Sequence, residues 1–283
     1  MKPQNLLRLT GATIAGAMLL ALTPALSAQT ATTYVTSALE KSRDGNYDGA
    51  IADFTKAIDL NSSYVGAYNG RALAKSKQGN FDGAIEDYSA ALKLKPAFTE
   101  AYFNRGSAEF FQGNFDGAIA DFTKAIELKP AYQAAYFERG LSRYCQTNLE
   151  GATIDLAKAL DVKGANAEAS NEILLQSALL GRRMGHGIDE RLKAATGWSN
   201  EWMKALALYV SDQLSEGDLL KMAGAADADE KARQVSEALY FVGVVKQASG
   251  DKAGAKADFQ KSFDGSSPDA LVHRLARSEL DHS

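Results

Sequence analysis

Three histidines, one cysteine, two tryptophans and a recurring set of arginines and aspartates are the side chains here that could do chemistry. His186, His273 and His282 are scattered, and none has a partner at metal-ligand spacing. His186 stands between Gly185 and Gly187, a pattern that marks a turn. Cys145 is alone, which excludes an intramolecular disulfide and a cysteine-based zinc cage; on a helix it reads as a small packed hydrophobe. Trp198 and Trp202, one helical turn apart, read as core or interface rather than as a ligand cage. There is no G-x-S-x-G, no phosphate loop and no cysteine with a placed histidine. No nucleophile, base or metal set assembles, so the sequence predicts a protein that is not an enzyme and needs no cofactor. The remaining candidates, Arg71, Arg105 and Arg139, recur with Asp87, Asp121 and Asp155. An active site is not copied three times along a chain; these pairs read as scaffold or solvated charge.

The elements that carry them repeat as well. Gly45, Gly79 and Gly113 fall 34 residues apart, with Thr147 in the fourth place, and Asn46, Asn80, Asn114 and Asn148 follow each. The same spacing relates Ala50, Ala84, Ala118 and Ala152, and then Phe54, Tyr88, Phe122 and Leu156. In the third unit "AYFNRGSAEFF" makes a first helix, Gly113 permits a turn and Asn114 caps a second helix. Asp116 in the first turn favours the helix dipole, and Pro130 stops the helix. Gly106 and Ala118 are small where two helices approach, and Tyr102 and Phe122 fill the space between. One hairpin cannot bury its apolar face alone, so stacking supplies the core.

A period of 34 with these small and aromatic positions resembles the tetratricopeptide repeat, a pair of antiparallel helices. The resemblance covers 31–166 as four units and implies an all-α solenoid. It lapses after Lys163 and returns over 233–283, where "SGDKAGAKADFQKSF" restores the turn with Gly250, Ala255 and Phe259, preceded by Gly243. This is a degenerate fifth unit, followed by a closing helix in "SPDALVHRLARSEL" with Ser267 as its cap. Between them, 167–232 offers helical segments and no run that demands a strand.

Residues 1–28 read differently. Lys2 and Arg8 precede the apolar run "LTGATIAGAMLLAL", and small residues follow, the order of a secretory signal peptide cut near Ser27 or Ala28. The run is short for a stable membrane span, so the mature chain is expected to have none. Losing Lys2 and Arg8 moves the formal charge from −4 to −6, which argues against nucleic acid. The expected address is the periplasm.

"GWSNEWMKALALYVSDQLSEGDLLKMA", "SEALYFVGVVKQASGD" and "ALVHRLARSEL" are similar in order and spacing to the bacterial NlpI-type envelope lipoproteins, over about 170–281. That resemblance implies a homodimer and an adaptor that brings cell-wall hydrolases or a processing protease to substrates. The lipid-bearing cysteine of that family is absent here.

The sequence offers one binding constellation. In tetratricopeptide stacks the first helices line a concave face, which here would hold Asn69 and Leu73, then Phe103, Asn104, Ser107, Phe110 and Phe111, then Phe137, Glu138, Leu141 and Tyr144. Phe103, Ser107 and Phe110 share one helical stripe, as do Phe137, Leu141 and Tyr144. Such stripes fit a protein-binding groove, a packed core or a dimer contact. With no cationic clamp evident, the expected guest is an apolar helix or extended segment of another protein or peptide.

Overall fold

The computed structural model describes residues 30–163, 167–186, 192, 194–224, 227–267 and 270–282. The expected leader over 1–28 and Pro268 lie outside the described residues. The chain divides into two compact units, one ending at Ala108 and the other beginning at Glu109. The described residues form helices and turns, with no strand among them.

The first unit holds α1 (30–43), α2 (Tyr47–Leu60), α3 (Val65–Lys77), α4 (Phe81–Leu94) and the start of α5 (Thr99–Gln112). The turns before α2 and α4 are set by Gly45 and Gly79, whose φ values of +76° and +75° suit a residue without Cβ. The Oδ1 of Asn46 then accepts the amide of Gly49, and that of Asn80 the amide of Gly83, each at 3.0 Å, satisfying a free helix-end donor. Behind the caps, Ala50, Phe54, Ala57 and Ala67 are fully buried in one cluster, and Ala84, Tyr88 and Ala101 are buried in the next. Burying each of these two rings contributes about 1.5–3 kcal/mol.

The second unit contains the end of α5, then α6 (Phe115–Leu128), α7 (Gln133–Cys145), α8 (Leu149–Asp161) and α9 (Ala167–Arg183). After a 3₁₀ turn at Ala194–Gly197 come α10 (Glu201–Val210), α11 (Glu216–Gly224), α12 (Ala228–Ala248), α13 (Lys252–Gly265) and α14 (Leu271–Asp281). The repeat rules hold again: Asn114, Asn148 and Asp251 cap α6, α8 and α13 through the amides of Gly117, Gly151 and Gly254 at 3.2, 2.9 and 2.9 Å. Ala118, Phe122, Ala152 and Phe259 are fully buried. A Cβ on Gly243 would lie 2.6 Å from the Phe259 ring, so α12 rests its bare backbone on that aromatic. Helix α9 packs on α8, α12 on α9, and α14 on α13, α12 and α7. The closing helix starts later than its sequence suggests: Ala270, not Ser267, is its N-cap, because Ser267 closes a separate turn whose carbonyl accepts the Ala270 amide at 2.9 Å.

One turn breaks the glycine rule. Thr147 occupies the left-handed position with φ +59°, where a β-branched side chain is strained. Left-handed backbone costs an L-residue roughly 1–2 kcal/mol, while glycine adds unfolded-state entropy of up to about 1 kcal/mol. Thr147→Gly is therefore expected to leave stability unchanged or raise it by up to about 1 kcal/mol. Urea denaturation checks this, and a clear loss would mean that Thr147 makes a contact that the turn requires.

Candidate functional site

The repeated arginines are structural rivets. In the first unit Arg71 donates Nε and Nη2 to Asp87 at 2.8 and 2.6 Å, and Nη1 to Thr55 Oγ1 at 3.0 Å. It therefore joins α3 to the following helix α4 and to the preceding helix α2. The hydrogen bonds to Asp87 raise the guanidinium's pKa further. Arg139 repeats this in the second unit, with Asp155 at 2.9 and 2.7 Å and Thr123 at 3.0 Å. Arg105 donates to Ser89 at 2.8 Å in the same backward sense. A second cation supports each carboxylate one helical turn on, Lys75 at 2.8 Å from Asp87 and Arg143 at 2.7 Å from Asp155. Asp87 and Asp155 are buried, so each would be costly if left unpaired.

The residues that the sequence assigns to a groove divide between two environments. In the first unit Leu73 is 45% exposed, and Leu39, one period earlier, is 52% exposed. Asn69, Phe103, Asn104 and Ser107 are half-buried. The Oδ1 of Asn69 is shielded and has no hydrogen-bond partner. In the second unit the stripes are mostly packed core and not an open groove. Phe110 is fully buried, edge-on to Phe111 and Phe115 at 5.7 Å, while Phe111 itself is half-buried. Phe137, Leu141 and Tyr144 are also buried.

The physical reason is that the C-terminal helices cover this part of α7. Tyr144 donates its hydroxyl to Glu279 of α14, and Arg183 of α9 donates to the same carboxylate oxygen. Gln247 reaches the other oxygen at 3.3 Å, and Tyr240 donates to the Tyr144 hydroxyl at 3.4 Å. The Arg183 guanidinium sits 5.1 Å from the Tyr144 ring centroid, and Ser278 bonds the Cys145 carbonyl at 3.1 Å. Glu279 is 1% exposed and so fully dependent on these donors. Burial, and then the Glu279 charge, raise the Tyr144 pKa far above the ordinary phenol value. Burial pushes the Cys145 thiol up to about 12, which makes it a packing residue and not a nucleophile.

Beside this network lies a cavity of about 300 Å³ between α9, α10, α12 and α14, walled by Leu175, Met203, Phe241 and Leu275. Glu172 and Glu237 face it, and burial raises both carboxyls above their ordinary range. Glu138 is raised to about 7 by burial and by the nearby Glu172. Trp202 Nε1 donates to Glu237 at 2.8 Å, which gives this tryptophan a structural partner. Trp198 is half-buried and His186 exposed. No three His, Cys, Asp or Glu side chains converge as metal ligands among the described residues. Sequence reasoning missed the roles of Arg183, Glu237 and Glu279. The available signal was a charged residue within otherwise apolar helices, in "LLGRR" and "ARSEL".

Helical hairpins recurring every 34 residues, with small residues at the crossings and a large buried side chain at the Phe54, Tyr88, Phe122 and Leu156 position, define an all-α repeat fold of paired helices. Residues 36–97, 69–132 and 103–170 match the tetratricopeptide-repeat family, so this stretch consists of tetratricopeptide repeats. No curated protein matches the chain in sequence. Among solved structures, the chain resembles a tetratricopeptide repeat protein from Parabacteroides merdae ATCC 43184, with 18% identity, 89% of this chain and 99% of that one covered, and a TM-score of 0.62. A MamA protein is similar at 23% identity over 65% of this chain and 93% of its own, TM-score 0.52. MamA from Desulfovibrio magneticus RS-1 is similar at 15% identity over 65% and 94%, with the same score. At these identities the likeness is one of fold. No described helix is long and apolar enough to cross a membrane.

Proposed function

We propose that the protein is a non-catalytic scaffold that binds an apolar helix or extended segment of another protein on the first helices of its N-terminal repeats. The observation that carries this reading is the pair Leu39 and Leu73, exposed at equivalent positions of consecutive repeats. Asn69 and Phe103 occupy a second equivalent position four residues earlier in consecutive first helices, and both are half-buried. Apolar side chains repeated on one face supply anchors for a partner, and fully burying a leucine contributes at most about 1.5–3 kcal/mol. The sequence of 1–28 supports export, and we place the mature protein in the periplasm with its N-terminus near Ala28 or Gln29. The resemblance of 170–281 to NlpI-type lipoproteins supports envelope proteases or peptidoglycan hydrolases as the partners, without a lipid tether.

A photo-crosslinking residue at position 73, followed by mass spectrometry of the adducts, tests this. The native chain should capture a defined set of envelope proteins and yield a peptide beginning near Ala28. Leu39→Asp, Leu73→Asp should keep the native melting temperature and lose capture at least tenfold. Adducts formed only with another copy of this chain would make the face a dimer contact, and unchanged capture would place binding elsewhere.

A further inference from the structure

A recess of about 400 Å³ in the second unit, between α14 and the turn joining α5 to α6, is lined by a cation whose Nε has no acceptor among the described residues. Arg274 lines it, and its Nη1 lies 3.7 Å from where a side chain on Gly113 would begin. The Nε of Arg274 is shielded from solvent and has no hydrogen-bond partner. Other charges on α14 do not balance it. Asp281 accepts Arg277 Nε at 3.0 and 3.2 Å, and Glu279 is committed to Tyr144 and Arg183. Burial, followed by repulsion from Arg277, lowers the pKa of Arg274. Asp87 and Asp155, by contrast, are each paired with two cations. A half-desolvated guanidinium without an acceptor is unfavourable, and it is the arrangement that an incoming anion corrects.

We propose that this recess binds a carboxylate carried on an apolar body, with Arg274 as its anchor. Two guanidinium groups against the one carboxylate of Asp281 leave a single positive charge, which complements a monoanion better than a phosphate carrying nearly two charges. A planar guanidinium edge matches the two oxygens of a carboxylate. The aromatic side chains of Phe115 and Phe263 line the same recess and suit the apolar part. The His273 ring is fixed against Phe263, stacked at 4.1 Å, with Nδ1 turned to Ser266 Oγ and the Phe263 carbonyl at 3.1 and 3.2 Å. The volume is that of a small-ligand site. Binding here is independent of the apolar face of the first unit, so either can fail alone.

Calorimetric titration of the full chain tests the site with hexanoate, hexanamide, inorganic phosphate, and the tripeptide Gly-Ala-Leu as free acid and as amide. Hexanoate or the tripeptide acid should bind at least tenfold tighter than the matching amide. A tighter tripeptide acid identifies a peptide end as the source, and a tighter hexanoate a free organic acid. Arg274→Gln should abolish the preference for acid over amide while leaving the melting temperature unchanged or higher, because the side chain has no partner to lose. Equal binding of acid and amide, no binding of either, or phosphate binding tighter than both acids would overturn the proposal. The acid-against-amide comparison on the native chain stands even if the variant does not fold.

Discussion

Replacing Arg183 by methionine is expected to destabilise the protein by about 3–5 kcal/mol, the usual cost of removing one partner from a buried ion pair. Glu279 is 1% exposed, and without Arg183 its charge would rest on the hydroxyl of Tyr144 and the amide of Gln247. Arg183 also covers the Tyr144 ring, so its loss removes packing as well as charge. Adding Glu279→Gln should recover part of the loss, since a neutral amide is cheaper to bury. Urea denaturation of the two single variants and the double variant gives the coupling between them directly. An Arg183→Met loss below about 1 kcal/mol would show that water reaches Glu279 and that α14 is loosely seated on α7.

Phe110→Ala should lose a comparable amount, about 3–5 kcal/mol, because a fully buried ring is replaced by a void. Phe111→Ala, one residue along and half-buried, should cost less than half as much. Thermal melts of the pair decide between a core and a groove for this stretch. If Phe110→Ala melts like the native chain, the ring is not part of the packed interior. Pull-downs with a Phe110→Ala, Tyr144→Ala chain would then report on binding and not on unfolding.

These two predictions mark where the sequence stops being informative. The period, the asparagine caps, the small residues at helix crossings and the large buried residue of each repeat are local or lie 16 or 34 residues apart, within reach of pattern reading. The arginine and aspartate pairs were legible for the same reason, although their backward bond to Thr55, Ser89 or Thr123 was not, since a hydroxyl on a helix surface looks like ordinary solvation. The fate of the aromatic stripes was hidden. A stripe records that a face is apolar and says nothing of what covers it. For Tyr144 the cover is Tyr240 and Glu279, 96 and 135 residues further along the chain. No periodicity links positions so distant. The orphaned Arg274 was equally silent, because an unpaired arginine and a paired one are spelled alike.

The backward and forward reach of the arginine rivets has a consequence for how such a chain can change length. Arg71 bonds residues 16 before and 16 after itself, and Arg139 does the same. The bonding pattern therefore behaves like a ruler with a fixed tick. Duplicating or excising 34 residues returns every arginine to an aspartate ahead and a hydroxyl behind, whereas a change of 33 or 35 leaves a buried carboxylate without its fork at the seam. The protein can thus gain or lose whole hairpins without redesign at the joint, and tolerates almost nothing in between.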